Sequence, residues 1–243
     1  MKKRIRIFQL TIIGIFLLLN TSCTKGGDST NQPLASQKKI KTIIYSNSTS
    51  QSKIYDYNSE GKLIKASSID GTYISDYTYA GNIITEVMHY AGKTYTTVYT
   101  MNSQGYVTNI NGSDEHDRFV ETFEYDNLGN CVKRISTFVI YGVSTFSYTY
   151  LDGNMTSQSE FQTIYNSTET YEFYLDKENT LGWGSPEPWN LTGKPNKNLV
   201  KKINFGFASY NCTYEFDQNN LITKQIQTPT DGHAAEWITY SYQ

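Results

Sequence analysis

Apolar and polar residues alternate in short runs from about residue 39 to the end of the chain. Along 119–125, Phe119, Phe123 and Tyr125 share one face with Glu121, while Val120, Thr122 and Glu124 occupy the other. Along 144–150, Phe146, Tyr148 and Tyr150 alternate with Thr145, Ser147 and Thr149. A period of two places successive side chains on opposite faces of a pleated strand, so each run predicts a strand with one aromatic and one polar face. The chain holds 21 Tyr and little Leu or Ala, a composition that favours strands over helices.

The runs recur. Tyr55-Asp56-Tyr57-Asn58-Ser59-Glu60-Gly61-Lys62-Leu63 is matched by 98–107, by Phe123-Glu124-Tyr125-Asp126-Asn127-Leu128-Gly129-Asn130-Cys131, and by Tyr214-Glu215-Phe216-Asp217-Gln218-Asn219-Asn220-Leu221-Ile222. Shorter copies occupy 77–83 and 148–155, 171–174 is truncated, and Tyr240-Ser241-Tyr242 ends the chain. In the four full copies Asn58, Asn102, Asp126 or Asp217 is followed three positions later by Gly61, Gly105, Gly129 or Asn220. An Asx side chain caps a type I turn, and Gly or Asn accepts the left-handed backbone that closes a bulged hairpin. Each repeat therefore predicts one β-hairpin. The expected fold is all-β: an antiparallel meander of about 14 strands over 39–243, curled into a barrel or half-barrel because so long a sheet rarely stays open. The polar outward face argues for a barrel that is not transmembrane, since a membrane barrel needs an apolar outer band.

The first residues read differently. Lys2, Lys3, Arg4 and Arg6 precede an apolar run from Ile7 to Leu19, the arrangement of a secretory signal. Leu19-Asn20-Thr21-Ser22-Cys23 then resembles the lipobox of exported lipoproteins, with Asn20 a departure where an aliphatic residue is usual. This predicts a signal peptide over 1–22 and lipidation of Cys23, which makes the membrane a partner through the N-terminal lipid and places the protein in the envelope, on the outer membrane. Residues 24–38 are polar and rich in Gly, Ser and Thr, so 23–38 is expected to be lipidated Cys plus tether. Setting aside the four basic residues of the signal leaves 17 of 21 basic residues against 23 acidic ones. Such a balance is poorly suited to phosphate backbones, and no nucleic-acid partner is expected.

The hairpins resemble the YD repeats of RHS-type secreted proteins. Together with the lipobox, the tether and the element Gly193-Lys194-Pro195-Asn196-Lys197-Asn198-Leu199-Val200-Lys201-Lys202-Ile203, residues 40–243 resemble a group of secreted lipoproteins from gut-associated bacteria built on a domain of unknown function with a porin-like fold. The resemblance implies a fold and a compartment. It carries no active residues.

Chemistry-bearing motifs are sparse. His89, His116 and His233 are scattered, and the acidic run 114–117 reads as a solvated turn rather than a calcium loop. No catalytic or metal residues and no cofactor are expected. Cys131 and Cys212 fall on the aromatic face; a disulfide is allowed in an oxidising compartment, but their separation along the meander favours two buried thiols. The segment 176–198 breaks the hairpin rhythm and holds two of three Trp and three of five Pro. Long connections are usually functional or packed as lids. Trp183 and Trp189 are therefore candidate ligand-binding residues, able to stack on a sugar ring or anchor a partner; alternatively they plug the open end of the sheet. The expected function is a non-catalytic binding or scaffolding module that takes a glycan, lipid or protein ligand. The alternative is an envelope hydrolase using a carboxylate pair that no motif nominates.

Overall fold

A computed structural model describes residues 38–113, 117–162, 165–181 and 185–243. The signal sequence, Cys23 and nearly all of the tether lie outside the described residues. The chain forms β1 (Ile40–Tyr45), β2 (Ser48–Tyr57), β3 (Leu63–Ser68), β4 (Tyr73–Ala80), β5 (Ile83–Tyr90) and β6 (Lys93–Met101). It continues through β7 (Val107–Ser113), β8 (Arg118–Tyr125), β9 (Cys131–Phe138), β10 (Gly142–Leu151) and β11 (Asn154–Phe161). After β12 (Asn166–Glu178) come β13 (Asn198–Asn204), β14 (Ser209–Phe216), β15 (Ile222–Pro229) and β16 (Glu236–Tyr242). Every strand pairs antiparallel with its neighbours in sequence, and β1 pairs with β16, so the sheet is a closed barrel.

The four Asx hairpins form as the turn chemistry predicts. Asn58 Oδ1 accepts the amides of Glu60 and Lys62 at 3.1 and 2.9 Å, and Asp126 Oδ1 accepts those of Leu128 and Asn130, each at 2.9 Å. Gly129 has φ +86° and Asn220 φ +60°, the left-handed backbone that Gly and, next best, Asn tolerate. Each of these hairpins carries a register shift beside the turn, as a bulge requires.

The aromatic face is the inner one. Tyr55, Tyr77, Tyr99, Phe123, Phe146 and Tyr240 are buried inside. A tyrosine near the end of an even-numbered strand repeatedly uses its hydroxyl on the odd-numbered strand before it. Tyr57 donates to Ile40 O (2.7 Å), Tyr79 to Leu63 O (2.8 Å), Tyr214 to Val200 O (2.9 Å) and Tyr242 to Ile222 O (2.7 Å), and Tyr125 bonds Val107 O. Phe would fill the same volume but leave these inward carbonyls without that donor, which explains why the repeat prefers Tyr.

The expected fold needs correction in three respects. There are 16 strands rather than about 14, because two of them join without a motif turn: β16 ends at Tyr242 and closes directly on β1, and β12 is linked to β13 by the long segment. The sheet closes fully, so no half-barrel forms. The exclusion of a transmembrane barrel also falls. It rested on a polar outer face, yet Ile44, Ile83 and Trp237 as well as Val120 are exposed among the outward Thr, Lys and Glu residues.

The buried tyrosines make the barrel sensitive to base. Burial pushes Tyr45 up to about 12 and holds Tyr55, Tyr77, Tyr99, Tyr171, Tyr214 and Tyr240 well above the usual 10.0. The folded state thus favours the neutral hydroxyl, and its stability is intact below the unfolded value and lost as pH rises above it. Urea unfolding is expected to show flat stability to about pH 9 and a steep fall above about pH 10. Tyrosinate absorbance should rise in two stages, exposed rings first and buried rings together with unfolding.

Candidate functional site

Eight strands already enclose an interior that side chains just fill, so sixteen leave space. One end of this lumen is closed. Residues 185–197, in the connection from β12 to β13, cross the end that carries the Asx turns and the first and last strand residues. Val107 N donates to Leu191 O (2.7 Å), Lys194 N to Gly129 O (2.8 Å) and Lys197 N to Gly153 O (2.9 Å), stitching the segment to β7 and two turns. Gly193 has φ +99°, and a Cβ there would lie 2.7 Å from Cys131 N and 2.9 Å from Gly129 O. Only glycine allows the segment to lie this close to the barrel end. Asn196 Oδ1 bonds Met155 N, and Asn154 and Asn198 exchange two hydrogen bonds of 3.0 and 2.9 Å.

From this plug Glu187 reaches into the barrel and is 1 % exposed. Its Oε1 lies 2.6 Å from Lys53 Nζ, and its Oε2 accepts Ser185 Oγ (2.6 Å) and Tyr55 OH (3.1 Å). Burial alone would push the Lys53 ammonium down, but the Glu187 carboxylate and the Tyr73 hydroxyl together outweigh it, and Lys53 stays above its ordinary range. A second group lies on neighbouring strands, where Glu86 accepts Tyr99 OH (2.6 Å) and Tyr77 OH (3.2 Å). Glu121, on β8, accepts Ser136 Oγ at 2.6 Å. On β9 the Arg134 guanidinium lies over the Phe146 ring, 3.8 Å from its centroid.

These groups line a cavity of about 790 Å³ that runs from Glu187 and Ser185 at the plug to Ser50, Ser113 and Phe138 near the far end. Gly112 makes room for part of this wall, because a Cβ there would meet Phe119 Cζ at 2.8 Å.

Of the residues nominated from sequence, Trp183 and Cys23 lie outside the described residues, as do residues 114–116 with His116. Trp189 falls in the short 3-10 turn Pro188–Asn190 of the plug, and its side chain is likewise outside what is described. His89 is exposed beside Thr94 Oγ1 (3.1 Å), and His233 is exposed beside Asp231. Cys131 and Cys212 are two buried free thiols, each pushed up to about 12 by burial. Sequence reading singled out the 176–198 segment but missed Lys53, Glu86, Arg134 and Glu187. The first three had a signal: charged residues at inward parity within an aromatic stripe.

The Lys53–Glu187 pair predicts a non-additive response. Lys53→Met leaves a buried carboxylate short of its counter-ion and is expected to cost about 3 kcal/mol in urea unfolding. Adding Glu187→Leu removes that charge too, and the double variant should lose clearly less than the sum of the two single losses, what remains reflecting the Tyr55 hydroxyl left without its carboxylate. Equal, additive losses would show that the pair has no coupling.

No family model and no curated protein matches the sequence. Several solved structures share the fold, two porin-like proteins among them. A porin-like protein from Bacteroides uniformis ATCC 8492 superposes with a TM-score of 0.56 at 14% identity, over 84% of this chain and 96% of that one. A porin-like protein from Bacteroides vulgatus ATCC 8482 gives 0.57 at 12% identity, over 84% and 98%. Both bear on the corrected exclusion, since barrels of this architecture are described as porin-like. At these identities the likeness concerns architecture, and this chain is a closed 16-stranded antiparallel barrel with a porin-like fold.

Proposed function

We propose that the protein is a non-catalytic cell-envelope barrel, anchored through lipid on Cys23, that holds a small ligand in its lumen. The observation that carries this reading is the plugged barrel with a retained aromatic cavity of about 790 Å³. Ligand pockets are typically concavities of about 300–1,000 Å³ lined by apolar and aromatic groups with a few placed polar ones. The plug supports holding a ligand over passing it along the axis, because Glu187 and Asn196 tie the segment to opposite parts of the wall.

The hydrolase reading gains little support from the lumen. Glu86, Glu121 and Glu187 line the cavity, but each accepts hydroxyl hydrogen bonds, and Glu187 also faces an ammonium. A solute channel is the second reading, favoured by the outward Ile and Val residues and by the porin-like description of the neighbours. It requires the plug to move, and single-channel conductance in planar bilayers tests it.

Full-length protein purified from membranes tests the main proposal. Labelled palmitate should be incorporated and lost in Cys23→Ala. Native mass spectrometry should show a bound small molecule, absent in Thr97→Trp, which fills the lumen from an inward position of β6. Failure of wild type to carry or bind any lipid or glycan in a panel would overturn the lumen reading.

A further inference from the structure

Among the charged residues that line the lumen, Arg134 is the one with a buried donor nitrogen that no described residue accepts. Glu187 and Lys53 pair with each other, Glu86 is held by two tyrosines, and Glu121 by Ser136. Arg134 has five N–H donors. None makes a hydrogen bond or ion pair with a described residue, and Nε is shut off from solvent without a partner. Its guanidinium lies over the face of Phe146, which steadies a cation but accepts no in-plane hydrogen bond. Buried polar groups are almost always partnered, because an unmatched donor keeps its full desolvation cost. The side chain lines the cavity, where an acceptor can reach it.

The surroundings show what kind of acceptor fits. From Arg134 toward the unplugged end, inward Phe138 follows on the same strand and Phe119 on β8, their rings 6.0 Å apart. Phe138 then meets Tyr141 at 6.2 Å, on the exposed β9–β10 turn. That turn presents Val139 (78% exposed), Ile140 and Tyr141 to solvent, and the next turns at this end present Phe161, Tyr165 and Phe207 (90% exposed). Apolar groups clustered at one mouth are uncommon on a protein surface and mark contact with something apolar. An aromatic path thus leads from an apolar lip to a lone guanidinium. Two carboxylates lie in the neighbourhood without forming an ion pair with it: Glu121, bonded to Ser136, and Glu160, bonded to Gln162 Nε2 at 2.6 Å.

We propose that the lumen takes a small amphipathic carboxylate, its anionic head bound by Arg134 and its apolar body lying along Phe119 and Phe138 toward the open end. The planar fork of arginine matches a carboxylate in two parallel hydrogen bonds, and the low-dielectric interior strengthens them. This assignment rests on the lumen-binding reading above, and the experiment separates the two.

Isothermal titration of the full-length protein, stripped of bound lipid, compares dodecanoate with dodecanol and dodecyltrimethylammonium below their micelle thresholds. A further arm uses 3-phenylpropanoate, to tell an alkyl body from an aromatic one. At least one carboxylate should bind about tenfold or more tightly than the neutral alcohol. Arg134→Gln should erase that preference and Arg134→Lys keep part of it. Equal affinity for carboxylate and alcohol, preference for the ammonium, or an unchanged preference in Arg134→Gln would overturn the Arg134 assignment while leaving lumen binding standing. Binding of no probe would overturn the amphipathic-carboxylate assignment, while the lumen reading itself stands or falls with the lipid and glycan panel. The wild-type comparison of carboxylate with alcohol decides the matter even if Arg134→Gln fails to fold.

Discussion

Closure of β1 on β16 is the constraint on which the rest of the molecule depends. The seam runs along both strands, from the mutual backbone bonds of Lys39 and Gln243 to those joining Ser46 with Trp237. A sheet with free edges leaves unpaired amides and carbonyls along two strands, and closure removes both edges at once. Closing sixteen strands also fixes a wide interior, wider than one layer of side chains can fill. Everything inside the barrel answers that excess of space.

The answer is built from tyrosine and from the plug. Tyrosine is large enough to project far from the wall and carries a hydroxyl that must be matched once buried. In this barrel many of the hydroxyls are matched, by carbonyls of the preceding strand near the plugged end and by Glu86 and Glu187 deeper inside, while that of Tyr95 is buried without an acceptor among the described residues. The same interior therefore accepts carboxylates and an ammonium without leaving them bare. The 185–197 segment completes the filling at one end, which leaves the remaining space toward the other. Asymmetry of the lumen, plugged on one side and lipped by apolar turns on the other, gives the barrel a direction.

Much of the site could have been read from inward parity. Lys53 stands two residues before Tyr55, Glu86 two after Ile84, and Arg134 two before Ser136, all on the face that alternation marks as inward. Glu121 was visible in this way between Phe119 and Phe123. What parity cannot supply is partnership. Glu187 meets Lys53 from 134 positions away, through a segment with no alternation to place its side chains. Arg134 has Glu121 and Glu160 among its neighbours yet pairs with neither, a matter of a few ångströms that no spacing in the chain encodes.

The sequence by itself determined the hairpins, their turns and the face each strand buries. Those features depend on contacts within a few residues: an Asx oxygen reaching amides two and four positions on, a Gly or Asn taking positive φ, side chains alternating along a pleat. Only the tertiary structure decided the number of strands, the closure, the plug and the pairing of the interior charges. These are contacts between distant parts of the chain, Thr42 with Ser241 across 199 positions among them. Each is individually weak, and it is the simultaneous satisfaction of all strand edges that selects this arrangement.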